Sequence, residues 1–537
     1  MKLRSPYWSK KLPADRADTA WDAIVIGSGM GGMTTAALLA RLGRKVLVLE
    51  QHYIPGGFTH AFSRKGWTWD VGVHAVGEVT EHTMPGRLLK DLTGGRLEWA
   101  SLGEVYDEFY WPEGFRIDFP NTPDKFRQNL INAFPDEVEA IDTYLRYVRE
   151  VGGHMKGYYL ARIVPDMAST PAEWLFARKA REWFLKSTDE VLDELTDNPQ
   201  LKAVMVAQWG YYGSLPQRSS FAMQALVVRH FLWGGYYPVG GSGEIARGLL
   251  QTVSDAGGWT RIVADVEQIL VEDGVAVGVR MADGEEIRAA KVISAAGIVS
   301  TVNRLLPEAE RSREWAQEAV SGVAPASAHV CLYIGFKGDI TQAGAGPANK
   351  WFYEVWESES DSWEVRTDQE SFERAPCLYC SFPSLKDPEH DPGEELRHTG
   401  EVVTFVPWSV FEPWSGTRWR KRGPEYEAFK ARLQDALLEE FLSHMPELRQ
   451  HIDYVELSTP LSTEYFCRPV AGSIYGIEPT PERFANERLK PRCPVKNLYF
   501  SGSEVTTVGV MGAMMGGVLA AAAAEPWEVF QHVRSVM

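Results

Sequence analysis

The chain has 537 residues, 45% apolar and 24% charged, with a net charge of −17 from 72 acidic and 55 basic side chains. Two or three domains with sizeable cores fit that length, and a nucleic-acid partner is excluded, since phosphate binding needs a basic footprint. Five cysteines do not make a disulfide framework, and the longest apolar run, Gly509 to Ala524, is shorter than the roughly 20 residues that span a bilayer.

The opening "MKLRSPYWSKKLPADRADTAW" is basic but has no apolar core of the signal-peptide kind, so a cytoplasmic protein is expected. An apolar run from Ala23 to Ile26 then meets Gly27-Ser-Gly29-Met-Gly-Gly32, followed by a helical pattern from Met33 to Leu42 and a second strand from Lys45 that ends at Glu50. Gly27 permits a tight turn out of the strand, Gly29 lets backbone N–H groups approach a pyrophosphate, and Gly32 lets the helix pack close to the sheet. The helix N-terminus adds partial positive charge where the phosphates lie. Glu50, 21 residues after Gly29, is placed to accept hydrogen bonds from ribose hydroxyls and would repel a 2′-phosphate. The site therefore suits NAD or FAD rather than NADP, and the glycine pair of Pro55-Gly56-Gly57 points to FAD.

Residues of about 120 to 235 carry helical periodicity, as in "DKFRQNLINAFPDEVEAIDTYLRYVREV" and "DEVLDELTDNPQLKAVMVAQWG". "GGYYPVGGSGEIARGLLQTVSDAGG" reads as a loop and helix with no strand before its glycines. Asp273-Gly274 and Asp283-Gly284 mark hairpin turns of an antiparallel meander before a buried strand, Lys291 to Ala296. Strands are expected at "AHVCLYIGF" and "EVVTFVPW", and a helix over "EYEAFKARLQDALLEEFLSHM". "APCLYCSF" also reads as a strand, which sends Cys377 and Cys380 to opposite faces, so neither a metal nor a redox site is expected there. The tail "NLYFSGSEVTTVGVMGAMMGGVLAAAAAEP" repeats the opening logic: a buried strand from Asn497 to Phe500, Glu504 after it, then a Gly/Ala-rich helix beginning near Gly512. The two ends of the chain are expected to meet on one cofactor.

The opening unit with its "PGG", "GWTWDVGVHAVGE", "YYPVGGSGEIARGL" and "LYFSGSEVTTVGVMGAM" resemble the phytoene desaturase, carotenoid isomerase and retinol saturase superfamily of flavoproteins. The retinol saturase branch is the nearest in "PGGFTHAFSRKGWTWDVGVHAVG", "LTDNPQLKAVMVAQWGYYGSLPQRSSF" and "STPLSTEYFCRPVAGSIYG". The matches run from about residue 21 to 524 and are sparse from 335 to 400. The resemblance implies an α/β fold with a Rossmann-like FAD-binding domain of the amine-oxidase and phytoene-desaturase type, built from residues 20–95, 236–310 and 488–537. An α+β substrate domain would comprise residues 96–235 and 311–487.

Carried over by motif, the resemblance implies that Gly27, Gly29 and Gly32 lie at the pyrophosphate, Glu50 at the ribose, and Gly56 and Gly57 on the flavin side of the phosphates, with Met30, Gly31, Gln51, Phe58 and Gly297 as further cofactor-binding residues. It places Val266 at the adenine, Gly502 and Glu504 along the ribityl chain, and Met511, Gly512 and Ala513 by the pyrimidine end of the isoalloxazine ring. It further implies saturation of a C=C bond in a hydrophobic polyene such as a retinoid or carotenoid, with desaturation or cis/trans isomerisation as alternatives. A flavin-free prenyl-lipid chaperone of the same fold is the alternative that is not an enzyme, and the intact Glu50 and "SGSE" argue against it. His74 is the leading candidate proton donor, followed by Tyr236, Tyr237, Glu464 and Tyr465. No second dinucleotide unit is visible, so NADH or NADPH would bind only transiently as reductant. "PAEWLFARKAREWFLKS", residues 171–187, combines Trp174, Leu175, Trp183 and Phe184 with Arg178, Lys179, Arg181 and Lys186, and is expected to contact a membrane surface peripherally.

Overall fold

The computed structural model describes residues 6–163, 177–357, 360 and 362–537. Three distant stretches of the chain meet in its first sheet. Trp21–Ile26, apolar on both faces as a strand covered on both sides must be, lies between Val46–Glu50 and Glu286–Ser294, parallel to both. Leu498–Phe500 adds in parallel at Val292 to Ser294, and Trp259–Ile262 with Trp8–Ser9 extends the other edge. Glu286–Ser294 serves twice, because its first half turns antiparallel to Val275–Met281 in the meander with Val266–Glu272. Asp273 and Gly274, at φ 49° and 75°, make the tight turn of that meander.

Two helices lie against this sheet and against each other, Met30–Arg41 and Gly509–Ala524. Their contact is backbone on backbone. A Cβ added at Gly31 would stand 2.4 Å from Gly502 Cα, one at Gly517 2.4 Å from the Gly31 oxygen, and one at Gly32 2.2 Å from the Gly27 oxygen. Thr35 Oγ1, 3.0 Å from the carbonyl oxygens of both Gly31 and Gly517 and 2.9 Å from Ser501 Oγ, ties the junction. The apolar run of the sequence is thus an internal helix. Among the described residues no helix is long and apolar enough to cross a membrane.

The second sheet runs in the order Ile452–Ser458, Ala328–Lys337, Arg397–Val406, Cys377–Ser381, Asn349–Tyr353, Val105–Tyr110, Arg116–Pro120. The last two strands form where periodicity assigned no element. Helix Pro424–His444 covers one face, and Cys380 packs there with Leu378, while Cys377 packs on the other side with Tyr379 and Trp351. A helical layer over Pro123–Ala133, Val138–Ile163 and Phe221–Phe231 completes this half. The helical periodicity that begins at Asp189 is carried by two short helices, because Asn198, with Pro199 behind it, caps a new one.

One expectation needs correction, and another falls partly outside the described residues. A short strand, Tyr236–Pro238, does precede the glycines at 240, but it pairs with Trp99–Ser101 outside the central sheet. Of residues 171–187, the first six lie outside the described residues. The remainder forms Arg178–Phe184, whose aromatic side chains pack inward: Phe184 against Tyr158 and Phe484, Trp183 against Tyr147 and Phe221.

Candidate functional site

A cavity of about 1290 Å³ runs from the glycine turn at Gly27 into the second sheet. At its first end the strand stops at Gly27, whose φ of 94° suits only glycine, and helix Met30–Arg41 begins. No side chain caps that helix and no acid stands in its first turn, so its free N–H groups and positive end are left for a ligand. A Cβ at Gly29 would meet nothing within 4 Å, and one at Gly57 would lie 2.9 Å from Gly29 Cα, which brings the second glycine loop alongside the first. Glu50 Oε2 accepts from Ser28 N (2.9 Å) and Ser28 Oγ (2.6 Å), and Oε1 accepts from His52 N (2.7 Å). Burial raises its pKa, so the acid at the strand end is held by the turn it serves.

The second helix end repeats the arrangement. Gly509–Ala524 has no capping side chain and no acid in its first turn. Gly502, at φ 103°, has open space where its Cβ would be. Glu504, buried and raised in pKa by that burial, accepts from Ile298 N (2.5 Å) and Val299 N (3.3 Å). An added Cβ at Gly297 or Gly476 would come within 3.0 or 2.9 Å of Glu504 Oε1.

Of the residues expected at the cofactor, Gly27, Gly29, Met30, Gly31, Glu50, Gln51, Gly57, Phe58, Val266, Gly297, Gly502, Glu504, Met511, Gly512 and Ala513 line the cavity. Gly32 and Gly56 do not: Gly32 is pressed on the strand end, and Gly56 N donates to Ser28 Oγ at 3.0 Å. Two uncapped helix N-termini, glycines whose missing side chains leave space, and an acid at a strand end fit a dinucleotide. The volume exceeds the usual upper bound of about 1,000 Å³ for one small-molecule site, as a cofactor and a substrate in line require.

Beyond the cradle the walls turn apolar, with Met155, Tyr159, Met223, Trp351, Tyr379 and Phe405. Exposed Leu160, Trp233, Phe530 and Met537 belong to the same wall and mark an apolar rim. His74 lines this chamber, its ring 5.2 Å from that of Tyr379. Its Nδ1 lies 2.8 Å from Glu401 Oε2, and its carbonyl accepts from Lys386 Nζ at 2.8 Å.

The other proposed donors are not brought here. Tyr237 is buried behind the wall and donates to Asp70 Oδ2 at 2.5 Å, and Tyr236 OH donates to the Trp233 carbonyl. Glu464 accepts from Ser415 and Tyr465 is exposed, because helix Pro460–Cys467 turns Phe466 and Cys467 to the cavity instead.

Behind His74 is a group that periodicity does not reveal: Asp70, Asp107, Lys386 and Glu401, all buried. Lys386 Nζ donates to the His74 carbonyl, to Ser381 Oγ (2.7 Å) and to Asn349 Oδ1. Asp107 accepts from Tyr211 OH and from Asn349 Nδ2, each at 2.8 Å. Burial pushes Glu401 up to about 8 and Asp70 and Asp107 up to about 6, and pushes Lys386 down to about 7. Only the Asp70 to His74 stretch, a family-like motif, hinted at this group. Elsewhere, ligand atoms of Glu354, Glu440 and His444 lie within 4.8 Å of one another, but the Arg374 guanidinium already donates to both Glu354 oxygens.

A family model for flavin containing amine oxidoreductases matches residues 30–524. An all-trans-retinol 13,14-reductase of Danio rerio is 32% identical over 96% of this chain and 88% of its own. A chloroplastic prolycopene isomerase of Daucus carota is 26% identical over 93% of this chain and 80% of its own. In fold, wild-type putrescine oxidase with bound putrescine is similar at a TM-score of 0.61 and 14% identity, over 95% of this chain and 99% of that one. The chain belongs to the flavin-containing amine oxidoreductases, in the group that includes the all-trans-retinol 13,14-reductases, and is an FAD-dependent oxidoreductase.

Proposed function

We propose that this enzyme reduces one C=C bond of a conjugated, hydrophobic polyene such as a retinoid or a carotenoid. One observation carries the reading: the dinucleotide cradle opens, within the same cavity, into an aromatic chamber whose wall presents an imidazole, His74. A conjugated chain spreads the charge that develops when one of its carbons is reduced, so a simple alkene is a poorer substrate. When bound and reduced, FAD supplies two electrons and one hydrogen to that carbon.

In this reading Gly27, Gly29 and the start of helix Met30–Arg41 hold the pyrophosphate, Glu50 and Gln51 the ribose, and Val266 the adenine. Gly57, Phe58, Gly297, Gly502 and Glu504 follow toward the flavin, and the N-terminus of Gly509–Ala524 favours negative charge on it. Residues 20–95, 236–310 and 488–537 form the cofactor domain, and 96–235 with 311–487 the substrate domain. His74 offers a proton on its cavity side. Substrate enters across the apolar rim at Trp233 and Phe530, and Arg178, Lys179 and Arg181 lie on the outer surface where anionic lipid would meet them. Charge reversal at these three positions should lower co-sedimentation with anionic vesicles at low salt.

The test is anaerobic. Photoreduced enzyme mixed with all-trans-retinol or a carotenoid should regain oxidised-flavin absorbance and yield product heavier by two hydrogen atoms. Reduced flavin that persists with every polyene overturns the proposal. His74→Gln should cut turnover by about 10²–10⁴, the usual weight of general acid catalysis, with flavin content unchanged. Mixing with NADH or NADPH tests whether a transient nicotinamide is the reductant. The likeness to prolycopene isomerases favours a second reading, cis/trans isomerisation, which would give product of unchanged mass.

A further inference from the structure

Reduction of a polyene also needs a proton for the second carbon, and the source assigned to that proton rests on the reduction reading. His74 Nδ1 and Glu401 Oε2 lie 2.8 Å apart, and neither has a hydrogen-bond partner among the described residues. A ring nitrogen with a lone pair and a carboxylate oxygen repel at that distance unless one proton lies between them. Asp70, next to this pair, is already supplied with donors. Tyr237 OH and Ser242 Oγ each donate to it at 2.5 Å, and Ser242 N donates at 3.2 Å. Asp70 N in turn donates to Glu401 Oε1 at 2.8 Å. Of the two neighbouring carboxyls, Asp70 has the donors that an anion needs, whereas Glu401 Oε2 has only the imidazole. Both cannot be ionised together in so buried a place without strong repulsion.

We propose that Glu401 is the resident acid of the site: neutral in the resting enzyme, it keeps a proton on Oε2, and His74 relays a proton to the cavity instead of storing one. As the His74 Nε2–H bond breaks and its proton goes to the substrate carbon, the Glu401 O–H bond breaks and its proton goes to Nδ1. The O–H electron pair stays on Glu401, which becomes a carboxylate whose charge Lys386 favours, and the ring ends neutral as the other tautomer. The new C–H bond uses the electron pair that reduction leaves on the substrate, with FAD as the oxidised partner. Afterwards Nε2 takes one proton from water, Nδ1 returns its own to Glu401, and the balance is one solvent proton per turnover.

The ring is never an imidazolium in this scheme. That agrees with burial and the nearby Lys386 ammonium, which push His74 down to about 3. Glu401 at about 8 keeps its proton at neutral pH. Its other neighbours do not compete for the role. Cys331 and Tyr333, on the adjacent strand, and Tyr237 and Tyr379 are all held protonated by burial. His329 is lowered to about 4 and stays neutral.

Glu401→Gln separates relay from positioning: the amide keeps an acceptor for Asp70 N and an N–H for Nδ1, but has no proton to pass on. The first readout needs no substrate or turnover. An infrared difference spectrum, wild type minus variant at pH 6.5, should show a protonated carboxyl C=O band that shifts in D2O and fades as the pH passes about 8. Carboxylate bands in its place overturn the proposal. Should Glu401→Gln fail to fold, the same band in His74→Gln should move, because its acceptor changes from ring nitrogen to amide oxygen, and an unmoved band overturns the pairing. The second readout is the pH profile of polyene turnover. Glu401→Gln should lose at least tenfold and lack the wild-type fall above about pH 8; a wild-type rate and profile overturn the relay. Band present with no polyene turned over by the wild type supports a neutral resting Glu401 and defeats the reduction reading. Turnover with no band does the reverse.

Discussion

Two glycines, two residues apart, should respond in opposite ways to the same methyl group. Gly29 has ordinary φ, −66°, and an added Cβ would meet nothing within 4 Å. In the flavin-free protein Gly29→Ala gains about 0.4–1 kcal/mol by restricting the unfolded chain. It loses a similar few tenths or more because alanine is a poorer helix N-cap than glycine, so stability should stay within about 0.5 kcal/mol of wild type. The methyl would project into the space assigned to the pyrophosphate, where overpacking costs about 1–3 kcal/mol, or roughly 5- to 150-fold in FAD affinity. At Gly31 the methyl would lie 2.4 Å from Gly502 Cα and 2.7 Å from its nitrogen, backbone that cannot swing aside. The helix-propensity gain of at most about 1 kcal/mol does not offset forcing the two helices apart, and Gly31→Ala should destabilise the flavin-free protein by about 1–2 kcal/mol. Urea unfolding of stripped protein and fluorescence titration with FAD read the two quantities separately. If Gly29→Ala binds FAD like wild type, or is as destabilised as Gly31→Ala, the division between cradle and packing glycines is wrong.

Thr35→Val keeps shape but removes the hydroxyl shared by Gly31, Gly517 and Ser501; leaving those groups short of a partner should cost about 1–3 kcal/mol, and a loss below about 0.5 kcal/mol in urea would refute it. Glu401, raised from 4.5 to about 8, keeps in the fold a proton that the unfolded chain releases. The stability this provides is complete below pH 4.5 and is lost as pH rises to about 8, at up to about 1.4 kcal/mol per unit. Wild type should therefore weaken relative to Glu401→Gln between pH 5.5 and 7.5, and a constant gap would contradict the assignment. Cys377 and Cys380 should remain separate thiols after mild oxidation, because they pack into different cores; a 377–380 disulfide in a peptide map would disprove the face assignment.

One physical division separates the residues that the sequence disclosed from those it hid. Gly27, Gly29 and Glu50 were legible because turn, helix end and acid are set by local backbone geometry over a few tens of residues. The alternation in "APCLYCSF" was enough to part its two cysteines. Asp70, Lys386 and Glu401 were not legible. They come from positions up to 331 residues apart, and in one dimension a charged residue next to apolar neighbours looks like the solvent side of a strand. Lys386 and Asn349 come from the stretch of 335 to 400 where family likeness is sparse. Glu464 and Tyr465 failed for another reason: a motif names a segment, but on a helix neighbouring side chains diverge by about 100°, and Phe466 and Cys467 took the inner side.

The parallel addition of Leu498–Phe500 to a sheet begun at Trp21 has a consequence for how the enzyme is made. A ribosome adds about 5–20 residues per second, so roughly 20–90 s separate the emergence of Glu50 from that of Phe500. During that interval the first glycine turn exists without the helix, Gly509–Ala524, that closes it. In the proposed arrangement a nascent chain cut short upstream of that helix lacks part of the flavin cradle, and it should stay colourless however well its opening unit folds. The yellow of a preparation would then be a count of completed molecules.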